Sequence, residues 1–172
     1  MKRIITATVN NVSGVLNRVT GMFARRNYNI ESITVGHTEN PAISRMTFVV
    51  VVDSEESIEQ VIKQLNKQID VLKVSDITDE SIVSRELALI KVFSTAQQRS
   101  EIAAVINPFR ALIIDVGRES MTVQVTGDQE KIGALIDLLH PYGIKELART
   151  GITAFKRGQK VSNNDQRVVL IN

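Results

Sequence analysis

The chain has 172 residues, 43% of them hydrophobic and 23% charged, with a formal net charge of +2 and no cysteine. That length holds one domain or two small ones, and the composition is that of an ordinary soluble globular protein. So small a charge gives no basic field for a nucleic acid, and the missing cysteines exclude disulfides, thiol catalysis and cysteine-held metals.

Ile4-Thr-Ala-Thr-Val-Asn10 alternates polar and apolar residues, the two-residue period of a half-buried strand. From Val15 the period changes, and Val15, Leu16, Val19, Met22 and Phe23 fall on one face of a helix. Between them Asn11 and Ser13 suit a turn and a helix start, and Gly14 permits conformations that a Cβ would block. A strand that feeds a glycine turn onto a helix N-terminus leaves backbone N–H groups unpaired, a receptor for a small anion such as a carboxylate.

Arg25-Arg-Asn-Tyr-Asn29 then supplies cations at the helix end and an Asn-rich stop, with Asn29 a candidate cap. Ile30–Val35 reads as a second strand, and Met46–Val52 as a third, apolar enough to be central. Asp53 and Glu56 have capping-box spacing, and Ile58, Val61, Ile62, Leu65 and Ile69 mark the helix that follows. Val71–Val74 closes the unit. The order β-α-β-β-α-β is the ferredoxin-like plan, two helices on one face of an antiparallel sheet.

Polar residues gather in 76–81, a linker, and the plan repeats. Leu87–Phe93 is a strand, and Ile102, Val105, Ile106 and Phe109 mark a helix. Residues 111–116 and 121–125 form a hairpin around 117–120. Ile132, Leu135, Ile136 and Leu139 stripe a helix that stops at His140-Pro141, and residues 144–155 hold the last strand, with a bend or bulge at Gly151. The fold class is therefore α+β, two ferredoxin-like domains over residues 2–78 and 79–158, with a flexible tail at 159–172. Val168–Ile171 in that tail either pairs with a sheet edge or stays disordered.

Inventory excludes most chemistry. There is no GxGxxG, no P-loop and no G-x-S-x-G elbow. His37 and His140 are isolated, so no metal site is expected. An RNA-binding ferredoxin-like domain would stack bases on strand aromatics, and here the third strand offers Phe48 among valines. Asp115, set between strand aliphatics, faces either water or a partner. Ser44-Arg45 is either a strand start or a partner contact. No signal peptide follows Met1-Lys-Arg, and no apolar stretch approaches the roughly 20 residues of a membrane span. A cytoplasmic, membrane-free protein is expected.

The N-terminal pattern resembles the ACT domain, a small-molecule-binding module found mainly in proteins regulated by amino acids. Asn11-x-Ser-Gly-Val-Leu16, Arg26-x-Tyr-Asn-Ile-Glu-Ser32 and Ser44-Arg-Met-Thr47 follow in order at the expected intervals. Arg85–Lys91, Phe109-Arg110, Ile114-Asp-Val116 and Ala148-Arg-Thr-Gly151 extend the match. Over residues 2–157 the chain resembles the small, regulatory subunit family of acetolactate synthase.

That resemblance implies a chain that does not catalyse. A separate catalytic (large) subunit would carry thiamine diphosphate, Mg2+ and FAD, and no cofactor is expected here. The small subunit would activate it and confer feedback inhibition by valine, or by leucine or isoleucine, in branched-chain amino acid biosynthesis, with the C-terminal domain contacting the large subunit. By position, the effector site is Asn11, Val12, Ser13, Gly14, Val15 and Leu16 of one chain facing Asn29 and Ile30 of its mate in a homodimer built through ACT domains. Asn10-Asn11 stands where many ACT domains carry an acidic residue. The rival is a free-standing ACT-type amino-acid sensor or transcriptional regulator.

Overall fold

A computed structural model describes residues 1–158; the expected tail and its strand Val168–Ile171 lie outside the described residues. The first unit runs β1 (Lys2–Asn10), α1 (Val15–Arg25), β2 (Asn29–His37), β3 (Ile43–Val51), α2 (Glu55–Asn66) and β4 (Val71–Asp76). The second runs β5 (Ile82–Phe93), α3 (Arg99–Ile106), β6 (Leu112–Val116), β7 (Ser120–Gly127), α4 (Gln129–Leu139) and β8 (Ile144–Arg149), then a short β9 (Thr153–Lys156). The sheet orders are β2-β3-β1-β4 and β6-β7-β5-β8, the same permutation twice, and every pairing is antiparallel. Both units are thus ferredoxin-like, as the periodicity predicts.

Alternation sets each core. Ile5, Ala7 and Val9 of β1 and Met46, Phe48 and Val50 of β3 point to the helices, where Val19, Phe23, Val61 and Leu65 meet them. The Phe23 and Phe48 rings lie 5.3 Å apart. Each such buried side chain contributes about 1.5–3 kcal/mol relative to exposure. The second core repeats the scheme with Ala88, Ile90, Val92, Val123 and Leu135.

Several local expectations need correction. The α2 cap is Ser54, whose Oγ accepts from the Ser57 N–H at 3.3 Å, so Asp53 lies one residue too early. The helix ends at Asn66, which leaves Ile69 90% exposed rather than on its apolar face. Asn29 begins β2 and caps nothing; Arg26 is the α1 C-cap, and Asn27 takes the left-handed conformation (φ 57°) that an amide side chain tolerates. The last strand is two, β8 and β9, separated by a left-handed Gly151 (φ 78°).

That break carries the chain back to the first unit. β9 pairs with the opening residues of β5 and packs against β3 on the sheet face that α1 and α2 leave bare. Thr6, Thr47 and Val49 lie on this face and are nonetheless buried, together with Ile152 and Ala154 from the second unit. The Thr34 Oγ1 donates to the Ile152 carbonyl at 2.9 Å. Beside it Arg149 grips Glu86 with two bonds, Nε to Oε1 at 2.7 Å and Nη2 to Oε2 at 2.8 Å. That hydrogen bonding raises the Arg149 pKa above its ordinary value. Glu86 is only 3% exposed, so a bidentate partner is what makes its burial tolerable.

A Cβ on Gly151 would sit 2.9 Å from the Ser32 Cβ, and the positive φ adds backbone strain. Gly151→Ala should therefore destabilise the chain by about 1–3 kcal/mol. A urea midpoint equal to that of the wild type would contradict the close approach.

Candidate functional site

The turn between β1 and α1 is built by hydrogen bonds at its edges and left open at its centre. The Asn11 N–H donates to the Ala42 carbonyl (2.7 Å), the Val15 N–H to the Val12 carbonyl (3.3 Å), and the Arg18 N–H to the Gly14 carbonyl (3.0 Å). Gly14 is the N-cap of α1, in the left-handed conformation (φ 81°), with no side chain capping the helix. Ser13 is therefore not the cap that its chemistry suggests. Among the described residues, the N–H groups of Ser13, Gly14, Leu16 and Asn17 find no acceptor. Four outward donors at the positive end of a helix dipole suit a carboxylate.

The Asn11 side chain supplies the complementary group. Its Nδ2 donates to the Pro41 carbonyl at 3.0 Å and lies 3.4 Å from the His37 Nδ1. With the amino end occupied, Oδ1 is left as the acceptor, the correct polarity for an ammonium. Val12 and Leu16 expose apolar surface beside the turn, whereas Val15 is buried in the core and offers its backbone alone. Two residues that the sequence did not single out also position the site. His37, read there only as an isolated imidazole, touches Asn11, and Arg18 reaches across to pair with Asp70. Asp70 in turn accepts the Asn10 N–H on its carbonyl (2.8 Å), so the pair anchors both ends of the turn.

Asn29 and Ile30 are not here. Register places Asn29 opposite Val51, and Val51 opposite Lys2, at one end of the sheet. Asn10 pairs with Ile43 at the other end. Eight residue steps along β1, from Lys2 to Asn10, separate the two, about 26 Å at roughly 3.3 Å per step. Within one chain, Asn11–Leu16 and Asn29–Ile30 lie at opposite ends of the sheet and do not meet.

The remaining candidates are plain. Phe48 is buried against Phe23 and offers no exposed ring for a base. Among the described residues no three His, Cys, Asp or Glu side chains gather as a metal site. Among those residues, too, no helix is long and apolar enough to cross a membrane. Asp115 is exposed on β6, an edge strand with a bulge just before it.

Comparison with known proteins gives a consistent picture. A family model described as an AHAS small subunit-like ACT domain matches residues 5–73, and one described as the small subunit of acetolactate synthase matches residues 85–158. The acetolactate synthase small subunit of Bacillus subtilis is 67% identical over 166 residues, 95% of this chain and 96% of that protein. That of Aquifex aeolicus is 47% identical over 165 residues, 95% of this chain and 85% of that protein. A crystal structure of the small subunit from Thermotoga maritima superposes with a TM-score of 0.84 at 40% identity, over 93% of this chain and 99% of that one.

Proposed function

The chain belongs to the acetolactate synthase small-subunit family, and from that membership we propose that it is a non-catalytic regulatory subunit. Its partner would be a cytoplasmic large subunit that holds thiamine diphosphate, Mg2+ and FAD. This chain would activate that enzyme and transmit feedback from valine, in the synthesis of branched-chain amino acids. The observation that carries the reading is the Gly14 turn, with four free N–H groups, an amide oxygen and exposed aliphatic surface in one place. A free α-amino acid with an aliphatic side chain presents the matching carboxylate, ammonium and apolar group.

The separation of the half-sites supports a dimer. β2 is an edge strand whose outer side has no partner within the described residues. Two copies paired antiparallel through β2 about Ile33 would set Asn29 of one opposite His37 of the other. His37 touches Asn11, so that pairing delivers the second half-site to the turn. Valine bridging two copies would bind one dimer geometry better than another. Only this differential affinity can shift the holoenzyme toward a less active state, and such couplings are typically about 1–3 kcal/mol.

Calorimetry with valine, leucine, isoleucine and serine should give saturable heat with a branched-chain member; no heat from any of the three would end the effector reading. Gly14→Asp puts a negative charge at the carboxylate position, beside Arg18 at 3.1 Å from the added Cβ. Effector affinity should fall by about tenfold or more, equivalent to about 1.4 kcal/mol, while activation of the partner survives. Unchanged inhibition would refute the placement. Tagged chain should also co-purify with a large thiamine-diphosphate enzyme; recovery of the chain alone, with valine still bound, would favour a free-standing sensor.

A further inference from the structure

The cavity between the two units lies on the sheet face opposite α1 and α2, and it is cationic. Thr6 and Thr8 of β1 open onto it, with Ser75 and Lys73 beside them on β4 and Arg45 beside Thr8 on β3. Thr8 is thus flanked by a cation on each side at direct cross-strand spacing, about 4.5–5.5 Å between Cβ atoms. Lys156 of β9 reaches in from the second unit, and Ile77 and Phe155 wall the space apolar. Its volume is about 270 Å3.

Counter-charge is missing. Lys156 pairs with Glu80 at 2.8 Å, but among the described residues neither Arg45 nor Lys73 has a carboxylate within ion-pair distance. The Arg45 Nε is buried without a hydrogen-bond acceptor. Three cations against one carboxylate leave a formal charge of +2 around hydroxyls and a guanidinium. Juxtaposed like charges and an unsatisfied buried donor both cost stability unless acceptor oxygens arrive from outside.

We propose that this interdomain cavity is a second ligand site, separate from the Gly14 turn, that takes a small phosphate-type anion. Hydroxyls from Thr8 and Ser75 with a guanidinium and two ammonium groups match tetrahedral phosphate oxygens better than a single planar carboxylate. The volume lies just below the range of pockets for drug-sized ligands, so it suits inorganic phosphate, pyrophosphate or the phosphate end of a larger metabolite. A bound anion of this kind would draw Lys156 and β9 toward the first sheet and so tighten the junction between units. The assignment is independent of which amino acid occupies the Gly14 turn.

The test is titration of the whole chain with pyrophosphate and with inorganic phosphate, followed by calorimetry and thermal unfolding. Saturable binding with one site per chain and a raised Tm is expected. Arg45→Gln and Lys73→Gln should each weaken it at least tenfold, while their ligand-free Tm stays at or above that of the wild type because like-charge repulsion is relieved. Valine heat should persist in both variants, which separates this site from the turn. Absence of saturable binding would overturn the proposal, as would binding that survives the double variant. If pyrophosphate fails to bind but the double variant loses co-purification with the large subunit, an acidic protein surface fills the cavity instead and the proposal is wrong.

Discussion

Two helices on one face of a four-stranded antiparallel sheet leave its other face and both edges, β2 and β4, without strand partners, and most features of this chain answer that constraint. The face is covered by the second unit. β9, Ile152 and Gly151 settle on Ser32, Thr34, Thr47 and Val49, so β3 is buried on both sides. One of the two edges is β2, which pairs with no strand but β3 among the described residues. Edge strands with free backbone groups are templates for another strand, and here the strand also carries one half of the candidate site. The same topology that exposes β2 puts Asn29 and the Gly14 turn at opposite ends of the sheet. A site made from both is complete only between chains.

Much of this was legible in the sequence because it follows local periodicity. The switch from period two to period 3.6 at Gly14 located β1, the turn and α1 together. What the sequence hid depends on distant contacts. β5 begins at Ile82 rather than Leu87 because residues 82–85 pair with β9, about seventy residues away, and nothing local in Ile-Val-Ser-Arg marks them. Gly151 reads as a bend either way; only its 2.9 Å approach to Ser32 explains why a side chain is excluded. His37 looked isolated because its partner, Asn11, lies across the sheet. Ile69 was misplaced for the opposite reason, since an apolar residue at the right spacing extends a helix on paper after the real helix has ended at Asn66.

The polarity of the hidden face also needed three dimensions. Thr6, Thr8, Arg45 and Thr47 alternate with core residues and so read as the solvated side of an amphipathic sheet. The second unit converts that side into an interior while leaving its polar chemistry intact. A covered face would ordinarily be apolar, as Val49, Ile77 and Ile152 are. Hydroxyls and unpaired cations kept beside them weaken the junction as a purely structural contact. The proposed anion would supply the counter-charge and acceptors that packing alone leaves out.

β1 joins the two regions physically. At Thr8 it faces the cationic cavity, and two residues later Asn10 enters the Gly14 turn, its N–H held by Asp70, which Arg18 of α1 also grips. β4 takes part at both points, since Lys73 and Ser75 line the cavity and Asp70 immediately precedes the strand. A ligand at either place therefore loads the same two adjacent strands. If the junction and the turn each have two arrangements, linkage makes their effects reciprocal: whatever an amino acid at the turn does to affinity in the cavity, an anion in the cavity does to the turn.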